Sequence, residues 1–239
     1  MTPVVLVHGF MGGSKQWHRQ LGALGGGEIH SVDLPGFGEN AHLDGFDTIA
    51  GYAAWVLAEL EARGVAQFHL IGHSMGGMVA QEMVSQSPGS VARLVLYGTG
   101  AQGVLPGRFE TIETSRQRAL TDGPNATARR IAATWFRMQD KADAYEACAA
   151  IAERSSIQAI LAGLDAMSGW TGVTRLPVLS TRTLVLWGDR DRTYPWTQTE
   201  KLWRTIPGAS LAVIPDCAHA AHLEKPELFN QIVKDFLTN

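Results

Sequence analysis

"LIGHSMGGM", Leu70 to Met78, sets a serine between two turn-forming glycines, Gly72 and Gly76, at the end of an apolar run. The residues before it, Phe68 to Gly72, read as a short buried strand, and Met75 to Gln86 continue as a helical pattern. Strand, G-x-S-x-G, helix is the arrangement in which a sharp turn holds a serine hydroxyl above a sheet with the amino end of a helix beneath it. The pentapeptide alone is a weak signal, and a glycine-rich turn with no chemistry is the plain reading of it. The strand before and the helix after make Ser74 a candidate nucleophile.

Working outward, similar apolar runs occur at Val4 to His8, Glu28 to Asp33, Val91 to Gly98, Thr183 to Gly188 and Ser210 to Pro215. Near-continuous apolar strands suit a parallel sheet covered on both faces. Helical patterns lie between them, at Thr48 to Arg63, Tyr194 to Thr205 and Pro226 to Leu237. Alternating strand and helix predicts an α/β fold, a doubly wound, mostly parallel sheet of about six strands. From Gly100 to about Ser180 there is no convincing strand, only helical patterns broken by Gly123-Pro124 and Gly172. That is too long for a structureless loop in a compact domain. Residues 1–99 and 181–239 are therefore expected to form the core, with 100–180 inserted as a helical cap over the carboxyl ends of the strands, where open α/β sheets bind ligands.

Composition excludes other classes. The chain has 239 residues, 45% of them hydrophobic, with a formal net charge of −3, enough for a full core and too little positive charge to collect nucleic acid or an anionic membrane. A small-molecule substrate is the expected partner, and the oligomeric state is open. No apolar stretch reaches the roughly 18 residues of a membrane helix, and "MTPVVLVHGF" lacks the charged start and long apolar segment of a secretory signal. A cytoplasmic location is expected. Cys148 and Cys217 are too few for a disulfide framework and lack metal-ligand spacing, so neither a metal nor another cofactor is expected.

A serine hydroxyl is a poor nucleophile at neutral pH and needs a base, itself oriented by an acid. The chain supplies both downstream. "LWGDRDRTYP" follows one strand with Asp189 and Asp191, and "PDCAHAAHLEKPE" follows the last with His219 and His222. Either member of each pair satisfies the order Ser, Asp, His.

Taken together, "VLVHGFMGGSKQW", "VDLPGFGEN", "GHSMGGMVAQ", "LVLWGDRD" and "AHAAHLEKPE", in that order from residue 4 to 227, resemble the α/β-hydrolase superfamily. The likeness is to its small cap-bearing branch of esterases, enol-lactonases and carbon–carbon hydrolases. The resemblance implies Asp191 as the acid, His219 as the base, and the backbone N–H groups of Phe10 and Met75 as the oxyanion hole. Ala218 stands where the family usually has glycine. The family commonly begins with two further strands before the "VHG" strand, which here starts at residue 4.

The implied activity is a serine hydrolase that cleaves a small carboxylic ester or (enol-)lactone through an acyl-enzyme. The rival within the fold is hydrolysis of a carbon–carbon bond in a vinylogous diketone, or a related lyase or synthase reaction. A ligand receptor built on the same scaffold is the reading from another class. Substrate-binding candidates are Trp17 at the catalytic edge and Trp135, Trp170, Arg129 and Arg130 in the insertion, where an inward arginine would grip a carboxylate. Most of the insertion's arginines, Arg108 among them, are expected to be solvated.

Overall fold

A computed structural model describes residues 2–24, 27–106 and 110–239; Arg108 lies outside them. Six strands, β1 (Val4–Val7), β2 (Ile29–Val32), β3 (Phe68–His73), β4 (Val91–Tyr97), β5 (Thr183–Gly188) and β6 (Ser210–Ile214), form one sheet in the order β2-β1-β3-β4-β5-β6. Every neighbouring pair is parallel. The apolar runs are continuous because alternate residues enter different cores. Val5, Val7, Leu94, Leu96 and Val185 face one apolar cluster, whereas Val4, Leu6, Val95, Leu184 and Leu186 face the other.

The first cluster is completed by α1 (Ile49–Ala62), α2 (Met75–Gln86) and α6 (Trp196–Thr205). The second is closed by the C-terminal helix α8 (Pro226–Thr238), through Phe229, Val233 and Phe236. Local sequence sets the helix ends. Thr48 caps α1 by accepting the Gly51 N–H, and Pro226 opens α8 at a position where its missing N–H costs nothing.

Between β4 and β5 lie three helices, α3 (Ile112–Thr134), α4 (Tyr145–Ala152) and α5 (Ile157–Ser168). Gly123, at φ 80° and ψ 171°, is non-helical, so the Gly-Pro punctuation divides α3 into two helical segments that meet at a kink. The ends of this insertion meet in an antiparallel bridge between Gln102 and Thr171, with Gly103 N–H donating to Trp170 O and Gly172 N–H to Ala101 O. Its buried residues, including Ala128, Ile131, Phe136 and Ile160, belong to the same cluster as α1 and α2. A four-residue helix, α7 (Ala221–Glu224), follows β6 and precedes α8.

Candidate active site

Ser74 follows β3 directly and sits at φ 57°, ψ −122°, a backbone conformation that side-chain-bearing residues rarely adopt. The turn is tight enough that a Cβ at Gly76 would lie 2.3 Å from Val7 O, so only glycine lets α2 approach β1. Ser74 N–H donates to Tyr97 O at 3.0 Å, while Ser74 O accepts from Gly77 N–H and from the Thr99 hydroxyl. Strand register thus puts the serine beside the end of β4.

Asp191 and His219 come to the same edge on the loops after β5 and β6. His219 Nδ1 donates to Asp191 Oδ2 at 2.8 Å, and both side chains are buried. The other carboxylate oxygen accepts from the Thr193 and Tyr194 amides, at 2.7 and 3.1 Å. Three hydrogen bonds to the Asp191 carboxylate therefore fix one ring orientation, and Nε2 of His219 is not part of them. Gly98, at φ 51°, leaves room for this pair: a Cβ there would come within 3.2 Å of His219 Nδ1. Asp189 plays a different part, accepting the Asp216 N–H at 2.7 Å and tying the β5 loop to the β6 loop.

The remaining histidines at this edge have other partners. His8 donates from Nδ1 to Gly9 O and accepts the Leu34 N–H on Nε2; burial lowers its pKa. His73 donates from Nε2 to His219 O at 3.0 Å, and burial together with neighbouring His219 and His222 holds its pKa well below the usual value. His222 lies against the Tyr97 hydroxyl, 3.2 Å from Nδ1, and burial lowers its pKa to about 3. Tyr97 in turn donates to His219 O at 2.6 Å. The His219 carbonyl is therefore held by two buried donors.

Two small cavities flank Ser74. One, of about 10 Å³, is lined by Gly9, Phe10, Gln16, Trp135, His219 and His222 among others. The other, of about 20 Å³, adds Ile131, Thr134, Met167, Thr193 and Tyr194. Ser74 and His219 line both. Met75 is the first residue of α2, where a helix N–H has no intrahelical acceptor, and no protein acceptor is found for Met75 N–H or Phe10 N–H among the described residues. Gly163 on α5 lies against the Phe10 ring.

Of the substrate-binding candidates, the structure brings only Trp135 to these cavities. Trp17 is fully buried in the second apolar cluster against His222, with ring centroids 4.6 Å apart. Trp170 donates from Nε1 to Glu82 on α2 at 2.7 Å and pins the end of the insertion. Arg129 pairs with Glu146 and Glu153, and Arg130 with Glu110, all along helices of the insertion or just before them. Helix phase turned both arginines away from the cavities, and a single sequence does not fix that phase. Gln16, Ile131, Thr134 and Met167 were missed; Gln16 stood one residue before the flagged Trp17, while the other three carry the same apolar pattern as ordinary core.

Comparison with known proteins places this geometry. The profile of the alpha/beta hydrolase family matches residues 4–232. The chain belongs to that family. Curated relatives of this hydrolase include 2-hydroxy-6-oxo-6-phenylhexa-2,4-dienoate hydrolase of Comamonas testosteroni, 27% identical over 98% of this chain and 87% of the relative. The hydrolase is also similar to the solved enol-lactonase from Burkholderia xenovorans LB400, with TM-score 0.91, 22% identity and coverage of 100% of this chain and 92% of that one. At that identity the likeness shows the fold alone. A thermophilic esterase from Thermogutta terrifontis superposes with TM-score 0.89 at 28% identity, over 99% of this hydrolase and 89% of the esterase. No helix among the described residues is long and apolar enough to cross a membrane.

Proposed function

We propose that the protein is a serine hydrolase of small carboxylic esters or (enol-)lactones, with Ser74 as nucleophile, His219 as base and Asp191 as its orienting acid. The observation that carries this reading is a buried His219, held 2.8 Å from Asp191, that lines the same two cavities as a serine at positive φ. His219 Nε2 takes the Ser74 proton as Oγ adds to the carbonyl carbon, and Asp191 stabilises the imidazolium. The oxyanion accepts from the Phe10 and Met75 N–H groups. Collapse breaks the acyl–oxygen bond, His219 returns the proton to the departing alkoxide, and water then resolves the acyl-enzyme by the same steps. The helices of residues 100–180 act as a cap, with Trp135 as the wall they contribute.

A second reading has support in the relatives named as dienoate hydrolases, at 27% identity. Such a substrate carries a carboxylate and needs a proton delivered to a carbon leaving group. Among the described residues, neither cavity at Ser74 is lined by lysine or arginine, and Phe10 crowds the oxyanion edge. Both features favour an uncharged ester or lactone. The test is a panel of p-nitrophenyl esters, enol-lactones and vinylogous 1,5-diketones, with fluorophosphonate labelling to locate the reactive serine. Activated short-chain esters or lactones are expected to exceed the diketone at least tenfold in kcat/KM, about 1.4 kcal/mol of transition-state stabilisation. If the diketone wins, carbon–carbon hydrolysis replaces the esterase reading; if Ser74 does not label in folded protein, the receptor reading does.

A further inference from the structure

The cavity beside Ser74, about 10 Å³, holds about one water, whereas pockets for small ligands run to roughly 300–1,000 Å³. A far larger groove, about 640 Å³, lies on the outside, between the turn at Ser14–Trp17, the segment that joins α3 to α4, and α7 with the start of α8. Among the described residues the two linings share one side chain, Gln16. It is buried, its Oε1 accepts the Gly13 N–H at 3.2 Å, and its amide reaches the Cys148 thiol on α4. One long hydrogen bond and one contact with sulfur make a weak latch between the cavity at the reacting serine and this larger groove.

We infer that Gln16 is the gate between the catalytic cavity and this groove, and that the groove is the subsite for the alkyl arm of an ester or lactone too long for the cavity at Ser74. The inference rests on the serine hydrolase reading and specifies where its substrate extends. Phe136, Ala147, Cys148, Ile151 and Leu223 supply an apolar surface the length of several methylenes. Burial raises the Cys148 pKa to about 11, so that wall presents a neutral thiol. The rim carries both signs, Lys15 and Lys141 against Asp143 and Glu227, and selects by shape more than by charge. A chain seated there gains about 0.8 kcal/mol for each CH₂ fully withdrawn from water, which favours an opened Gln16 only when the substrate is long enough to reach past it.

Chain-length selectivity measures this directly. The probes are p-nitrophenyl acetate and octanoate for the acyl arm, and ethyl and octyl acetate for the alkoxy arm, each read as a long-to-short ratio of kcat/KM. Ala147→Trp fills the groove from an exposed position on α4, and Ala150→Trp adds the same ring on that helix outside the groove lining. Ala147→Trp is expected to lower at least one ratio tenfold or more, the affected pair identifying the arm, while Ala150→Trp leaves both within twofold. Gln16→Leu, which removes the latch at similar size, is expected to raise the same ratio several-fold. Unchanged ratios in Ala147→Trp and Gln16→Leu proteins that melt like the parent overturn the subsite. Turnover that survives Ser74→Ala overturns the serine reading itself, and the subsite with it.

Discussion

The floor of the candidate site and the helices above it are held by different means. On the floor, Ser74, Asp191 and His219 each follow the carboxyl end of a strand and are fixed by hydrogen bonds that involve the main chain: Tyr97 O for Ser74, the Thr193 and Tyr194 amides for Asp191, and the Tyr97 hydroxyl and His73 ring on the His219 carbonyl. Above it, the insertion is tied by side-chain ion pairs, Arg129 to Glu146 and Glu153, Arg116 to Asp165, and Arg118 and Arg130 to Glu110. Its tethers to the core include Trp170 and Arg175 on Glu82, and Ala220 N–H on Trp135 O. A floor set by strand register keeps reacting atoms in place while the roof varies. On the proposed function, chemistry and selectivity are carried by separate parts of the chain.

The strongest way to break this comparison is to remove a floor residue that meets the reacting atoms and one that does not. Ser74→Ala or His219→Ala is expected to lower kcat by about four orders of magnitude or more, with the fold intact by circular dichroism. His222→Ala is expected to cost no more than about tenfold, because His222 faces Tyr97 while His219 meets Asp191. Equal losses would make His222 the base and dissolve the distinction.

The same contrast explains what could be read from the sequence. The floor was legible because its geometry demands particular residue types in a particular order: a glycine where α2 approaches β1, a serine between strand and helix, an acid and a histidine after the last strands. Strand limits also came within two residues, since burial on both faces leaves apolar runs of strand length. Asp191 over Asp189 and His219 over His222 needed the family resemblance, because polarity and spacing leave each pair equivalent. The roof was not legible. Trp170 and Trp135 are both buried aromatics in the insertion, yet one meets Glu82 and the other lines the cavity. Which of them does so depends on how three helices rotate against the sheet, and no local pattern encodes that.

A smaller effect sharpens the floor from within. A histidine base must be neutral to accept the serine proton, so kcat/KM is expected to rise with pH through one ionisation, tenfold per unit on the acid side. The other buried histidines at this edge do not confuse the profile. His8, His73 and His222 have pKa values lowered by burial, so each takes up its proton at lower pH than an ordinary histidine does. Their protonation adds nothing to that limb. His222→Gln is expected to leave its position unchanged in a pH-rate series with chemistry rate-limiting. A flat profile from about pH 5 to 9, or a limb that moves with His222, would count against the assignment.

The smallest expected effect concerns the roof. Arg129 Nη2 reaches both carboxylate oxygens of Glu146, at 2.7 and 2.9 Å, and Nη1 donates to Glu153 at 3.2 Å, and those bonds raise its pKa above the usual arginine value. The pairing looks strong by geometry, but Arg129 and Glu146 are both exposed, and water and salt screen such pairs. Its guanidinium also lies 5.4 Å over the Tyr145 ring, on the side of α3 that faces α4 and away from Ser74. Arg129→Ala is therefore expected to leave kcat/KM for a short-chain ester within about twofold and to move the melting temperature by no more than a few degrees, less still at high salt. A tenfold rise in KM confined to acidic substrates would instead mean that the helix turns on binding and that Arg129 reaches the substrate. In that event the roof would take part in recognition by charge, and the preference for uncharged esters would have to be given up.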